Sequence, residues 1–133
     1  MKANSLVEFI KNDPDAITNT GASQESVQKA EEILGIKFAP DYREYLLTFG
    51  IAISDGHEFT GLSNLDRTNV IKVTIANREV GNEKRKDMYV VEEANIDGIV
   101  VWQKEDGTVY TTVFEGEPRL RYKNLLEYVT EQA

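Results

Sequence analysis

The chain has 133 residues, no cysteine and one histidine, and its 23 acids outnumber its 15 bases to give a net charge of −8. That length suits one domain, taken as residues 1–133, large enough to bury a core without covalent staples. The missing thiols exclude disulfides, cysteine nucleophiles and thiolate metal sites, and the acidity disfavours nucleic acid, whose phosphates such a surface repels.

The opening MKANSLVEFIKNDPD has no uninterrupted apolar stretch and does not read as a signal peptide. No later run approaches the roughly 20 apolar residues of a membrane span. A soluble cytoplasmic protein is the expectation. Leu6, Val7, Phe9 and Ile10 predict a short amphipathic helix ending at Asp13-Pro14, since a proline biases its predecessor away from helix. A second helix begins after Ser23, a good N-cap, with Glu25 in the first turn where the helix dipole favours a carboxylate. Val27, Ala30, Ile33 and Leu34 recur at helical spacing. Gly35 closes that helix by adopting a left-handed conformation. Pro40 opens the next one, where its fixed φ suits the first helical position and its missing N–H costs nothing. Tyr42, Tyr45, Leu46 and Phe49 fall on one face of this third helix, and Gly50 ends it.

From residue 51 the pattern changes. GIAISDG (50–56) and HEFTGL (57–62) read as two short strands around a turn at Asp55-Gly56. NVIKVTIANREV (69–80) is ambiguous: its β-branched content argues strand, whereas a cap at Asp66 or Thr68 and the length without turn signals argue helix, which is the reading adopted. GNEKRKD (81–87) reads as a mobile charged loop, its Lys84-Arg85-Lys86 cluster solvated. MYVVEE (88–93), GIVVWQ (98–103) and TVYTTVF (108–114) form an expected antiparallel meander linked by short glycine-bearing turns. Leu120 marks a short fourth strand. Tyr122, Leu125, Leu126 and Val129 mark a final helix. The strand over 108–114 is the expected sheet edge, able to pair with a second copy, so monomer and homodimer both stay open. The fold class is α+β.

Chemistry is sparse. A Ser-His-Asp triad would have to use His57, beside Ser54-Asp55, but no nucleophile elbow occurs, and an exposed turn residue is the simpler reading. Asp13 with Asp15, and Glu92 and Glu93 with Asp97, lack the ligand spacing of a calcium loop and read as surface acids. No phosphate-cradling glycine motif is present. Trp102 reads as a core residue or one on the sheet face beneath a helix, with a partner-facing anchor as the alternative. The expectation is a non-catalytic binding module without metal or cofactor.

The segment AEEILGIKFAPDYREYLLTFG (30–50) resembles the hallmark of the SUKH superfamily, which includes the Smi/Knr-type domains. Glu31, Leu34-Gly35, Pro40, Asp41, Tyr42 and Leu46 carry the likeness. Ala39 stands where the pattern has leucine, and Phe49-Gly50 where it has Asn-Gly. The order of the remaining elements agrees, which also supports a helix over 69–80. The resemblance implies a sheet with helices packed against it, and function by binding. Bacterial members resemble immunity proteins that neutralise a secreted toxin, often a nuclease or deaminase, by direct contact; fungal members are regulators of cell-wall synthesis and signalling. A basic toxin domain is then the expected partner, with a regulatory adaptor as the alternative. Candidate contacts are Asp55, Glu58, Asp66, Glu92, Glu93 and Asp97, with Tyr89 or Trp102 as aromatic anchors. The motif residues Gly35, Pro40, Tyr42 and Leu46 are expected to be structural.

Overall fold

The computed structural model describes residues 3–81 and 83–131. The chain begins with α1 (Leu6–Lys11), a two-residue strand β1 (Ile17–Thr18), α2 (Gln24–Leu34) and α3 (Pro40–Phe49). Strands β2 (Ala52–Ser54) and β3 (His57–Glu58) follow, then α4 (Val70–Val80). The C-terminal part is β4 (Met88–Glu93), β5 (Ile99–Lys104), β6 (Val109–Val113), β7 (Arg119–Tyr122) and α5 (Leu125–Glu131). Two antiparallel sheets result, ordered β1-β2-β3 and β4-β5-β6-β7, which makes the fold α+β.

The helix signals act where the sequence places them. The Ser23 hydroxyl accepts from the Ser26 N–H, and Gly35 closes α2 with φ of 69°. Pro40 opens α3, whose Tyr42, Tyr45, Leu46 and Phe49 are all buried. A buried large apolar side chain contributes on the order of 1.5–3 kcal/mol, so this face anchors α3. Asp55-Gly56 turns the chain between β2 and β3, both residues having positive φ.

The four-stranded sheet is covered on both faces. Tyr89, Val91, Val101 and Val109 join the main core with the buried faces of α1, α2, α3 and α5. Val73 of α4 covers the other face with Met88, Val90, Val100 and Trp102. Burial on both sides explains why β4 and β5 read as continuous apolar runs instead of alternating. Between Val90 and Glu92 the register of β4 on β5 shifts: Val90 pairs with Trp102, but Glu92 pairs with Val101. This bulge turns Val91 and Glu92 to the same side, towards the main core.

Several sequence expectations are corrected. The cap of α4 is Asn69, whose Oδ1 accepts from the N–H groups of Ile71 and Lys72; Asp66 and Thr68 lie in the preceding 3-10 turn. Tyr122 belongs to β7, and the last helix begins at Leu125. The strand over 108–114 is not an edge, because β7 pairs with β6. Of the expected loop over 81–87, Asn82 lies outside the described residues. Glu83–Arg85 forms a 3-10 turn, and Arg85 is buried instead of solvated. Strand β1 was not foreseen.

Candidate functional site

The motif segment is a set of joints. Glu31, buried near the end of α2, accepts from the Phe38 N–H at 2.8 Å and forms an ion pair with Arg43 of α3. Asp41 accepts from Gln103 Nε2 on β5 at 2.9 Å and from the Leu125 N–H at the start of α5 at 3.1 Å. Tyr42 and Tyr45 reach the segment after β3: the Tyr42 hydroxyl bonds the Thr60 hydroxyl at 2.8 Å, and the Tyr45 hydroxyl donates to the Thr60 carbonyl at 2.8 Å. Tyr89 donates to Gln103 Oε1 at 2.6 Å and accepts from the Ala39 N–H at 2.9 Å. Burial holds all three phenols well above their ordinary pKa, so they are neutral donors.

A second joint surrounds Glu92. Its Oε1 accepts from the Tyr128 hydroxyl at 2.6 Å and lies 2.8 Å from His57 Nδ1, while its Oε2 accepts from the Glu58 N–H at 3.0 Å. The His57 ring stacks on Phe59 with centroids 5.4 Å apart and packs edge-on to Tyr128. His57 is therefore not an exposed turn residue; its side chain is only 13% accessible. Ser54 bonds to Asp13 at 2.8 Å. The Glu92 cluster ties β3, β4 and α5 together. No cluster of metal-ligating side chains occurs among the described residues.

The proposed contact residues separate by burial. Trp102 is fully buried, its Nε1 donating to Thr112 Oγ1 at 2.9 Å and its ring lying under Arg85. Neither Trp102 nor Tyr89, which is equally buried, presents its side chain at the surface. Glu92 is also buried, with both carboxylate oxygens bonded within the fold. Glu93 is half-buried and accepts from Asn77 Nδ2 of α4 at 3.0 Å. Asp97 is exposed in the β4–β5 turn with φ of 53°.

The remaining acids gather around the small sheet. Asp55 is exposed in the β2–β3 turn, Glu58 ends β3 in a two-pronged ion pair with Arg67, and Asp66 is exposed in the 3-10 turn after β3. The hydrogen bond to Arg67 lowers the Glu58 carboxyl below its ordinary range. Sequence reasoning missed what lies beside them. Ile17, Ile53 and Leu65 are exposed apolar side chains on the same groove. Ile17 and Ile53 sat in segments too short for periodicity to orient.

The fold and site define an α+β scaffold whose helices and sheets are locked by buried polar joints, leaving an acidic exterior. The family model SUKH_5, described as SMI1-KNR4 cell-wall, matches residues 3–132, and the chain belongs to this family. A comparison with curated proteins gives no match. No described helix is long and apolar enough to cross a membrane.

Proposed function

We propose that this chain is a non-catalytic protein-binding domain that neutralises a cognate toxin of nuclease or deaminase type by direct contact in the cytoplasm. The observation that carries this reading is the family match across residues 3–132. The charge supports it: a domain of net −8 attracts a basic, phosphate-binding toxin, speeds encounter and can cover the cleft that holds the toxin's substrate. The polar side chains that could suggest chemistry, His57, Glu92 and Tyr128, are bonded to one another and to backbone, which supports a structural role for them.

The test is capture of partners from the source organism on tagged protein, washed first at low and then at high salt. The expected result is a basic domain released by salt, whose activity on nucleic acid or nucleotide is abolished by adding the chain back. A second reading is a regulatory adaptor, favoured by the words "cell-wall" in the description of the matching family. Capture of a cell-wall synthetic or signalling protein, with no toxin activity to inhibit, would replace the first reading with the second.

A further inference from the structure

The three-stranded sheet carries an apolar row on its outer face. Antiparallel register places Ile17 of β1 opposite Ile53 of β2, and Ile53 opposite Glu58 of β3. Directly opposed residues share a face. On the other face Ala52 is buried against the core, so this row points outward. Ile17 is 66% exposed, Ile53 39% and Leu65 59%. With Leu62, Ser63 and Arg67 they line a groove of about 350 Å³ between the sheet and residues 62–68.

Single exposed aliphatic residues are ordinary. Three that converge on one groove are not, and the surrounding charge says what can cover them. Glu58 lines the groove, and Asp55 and Asp66 are exposed in the turns next to its lining residues, three acids against one arginine. That arginine, Arg67, is paired with Glu58. Exposed Asp55 and Asp66 beside an apolar floor repel acidic or nucleic-acid partners and complement a basic segment that carries apolar side chains.

The backbone offers a further contact. The Asn19 N–H donates to the Ile51 carbonyl across β1 and β2. Antiparallel alternation then directs the N–H and C=O of Thr18 away from β2, along the outer edge of the sheet. An extended segment laid there gains main-chain hydrogen bonds while its alternate side chains enter the groove.

We infer that the groove formed by Ile17, Ile53, Leu65 and the Glu58–Arg67 pair is the docking site for an extended basic segment of a protein partner, with apolar side chains on the floor and lysines or arginines against Asp55 and Asp66. This inference rests on the binding reading above and adds the surface and the chemistry of what it takes.

The probe is a short peptide alternating lysine with leucine, titrated into isotope-labelled full chain and followed by amide shifts. Saturable shifts should centre on Ile17, Thr18, Ile53, Glu58, Leu65 and Arg67. Ile53→Thr combined with Leu65→Ser, both at exposed positions, should weaken binding about tenfold or more. Ile96→Thr, at an exposed position in the β4–β5 turn, should leave it unchanged. Absent shifts, shifts elsewhere, or equal binding of a glutamate–leucine peptide would overturn the assignment. So would a concentration-dependent dimer lost in Ile53→Thr, which would make a second copy the occupant. A captured basic toxin domain bound equally by wild type and the double variant would end the groove assignment and leave the toxin reading standing. Peptide seating in the groove without any toxin activity to inhibit would do the reverse.

Discussion

The guanidinium of Arg85 is held by backbone alone: Nη1 donates to the Asn77 carbonyl at 2.8 Å, and Nη2 to those of Phe114 and Gly116 at 2.7 and 2.9 Å. It also lies over Trp102, 5.4 Å from the ring centroid. Burial pulls its pKa down, with Glu115 opposing, yet an arginine stays charged there. A lysine has no planar fork to meet three carbonyls, so Arg85→Lys should be nearly as damaging as Arg85→Ala. Both should lose about 2–4 kcal/mol in urea unfolding, because a buried side chain loses three charge-assisted hydrogen bonds and its packing on Trp102. Equal stability of Arg85→Lys and wild type would refute this. Asp13 makes a pH-dependent contribution. Its carboxylate accepts from the Asp15 N–H, the Ser54 hydroxyl and the Asp55 N–H, at 2.9, 2.8 and 3.1 Å. The Asp15 bond is the largest cause lowering its pKa below the ordinary carboxylate value. A depressed folded-state pKa means the stabilisation is complete above the unfolded value of about 4 and disappears as pH falls through the folded one. The stability gap between wild type and Asp13→Ala should therefore be constant near neutrality and shrink in acid. Unfolding curves measured across that range would show it, and a gap that widened in acid would contradict the assignment.

Gly35 and Gly50 end successive helices with nearly the same φ, 69° and 73°, yet their surroundings differ. A Cβ on Gly35 would meet nothing within 4 Å, whereas one on Gly50 would lie 2.6 Å from the Thr20 carbonyl oxygen. Gly35→Ala should thus show only the backbone cost of a left-handed residue, about 1 kcal/mol. Gly50→Ala should be clearly worse, since a backbone atom must also move and the ψ of −52° at Gly50 lies outside the left-handed helical region. Thermal unfolding of the two variants would rank them, and the reverse order would reject the explanation. Both helix ends were legible in the sequence, as were the amphipathic face of α3 and the meander, because each signal there is local. What escaped depends on tertiary contacts. Simple alternation along MYVVEE puts Glu92 on the face of Met88 and Val90, and Glu93 on that of Tyr89 and Val91. The bulge exchanges them, sending Glu92 to His57 and Tyr128 and Glu93 to Asn77 of α4. A bulge leaves no mark in composition, so a carboxylate expected at the surface is buried. Arg85 was hidden for a similar reason: three consecutive basic residues look solvated until the chain beyond them supplies carbonyls. The edge misassigned to residues 108–114 turned on β7, whose Arg119 and Arg121 lack a strand-like apolar pattern. Those arginines give the true edge the charged character that discourages strand pairing between copies.

Across the whole molecule the unbalanced charge acts on folding and on binding with opposite response to salt. The exposed ion pairs, such as Lys84–Glu117 and Lys86–Glu83, are worth roughly 0–1 kcal/mol each and weaken with salt. The net −8 spread over one small domain is a repulsion that salt relieves. Between ionic strengths of about 0.01 and 0.15 M the screening length falls from about 30 to about 8 Å, so repulsion across the domain fades while contacts within one ion pair persist. The free chain should therefore unfold at a higher temperature in the more saline buffer. Its association with a basic partner should slow over the same range, because steering acts across the lengths that salt screens most. Calorimetry of the free chain and association rates measured in matched buffers would read the two trends. A melting temperature that fell with salt would mean that the attractive pairs outweigh the excess acid, and the acidic exterior would then be serving the fold instead of a partner.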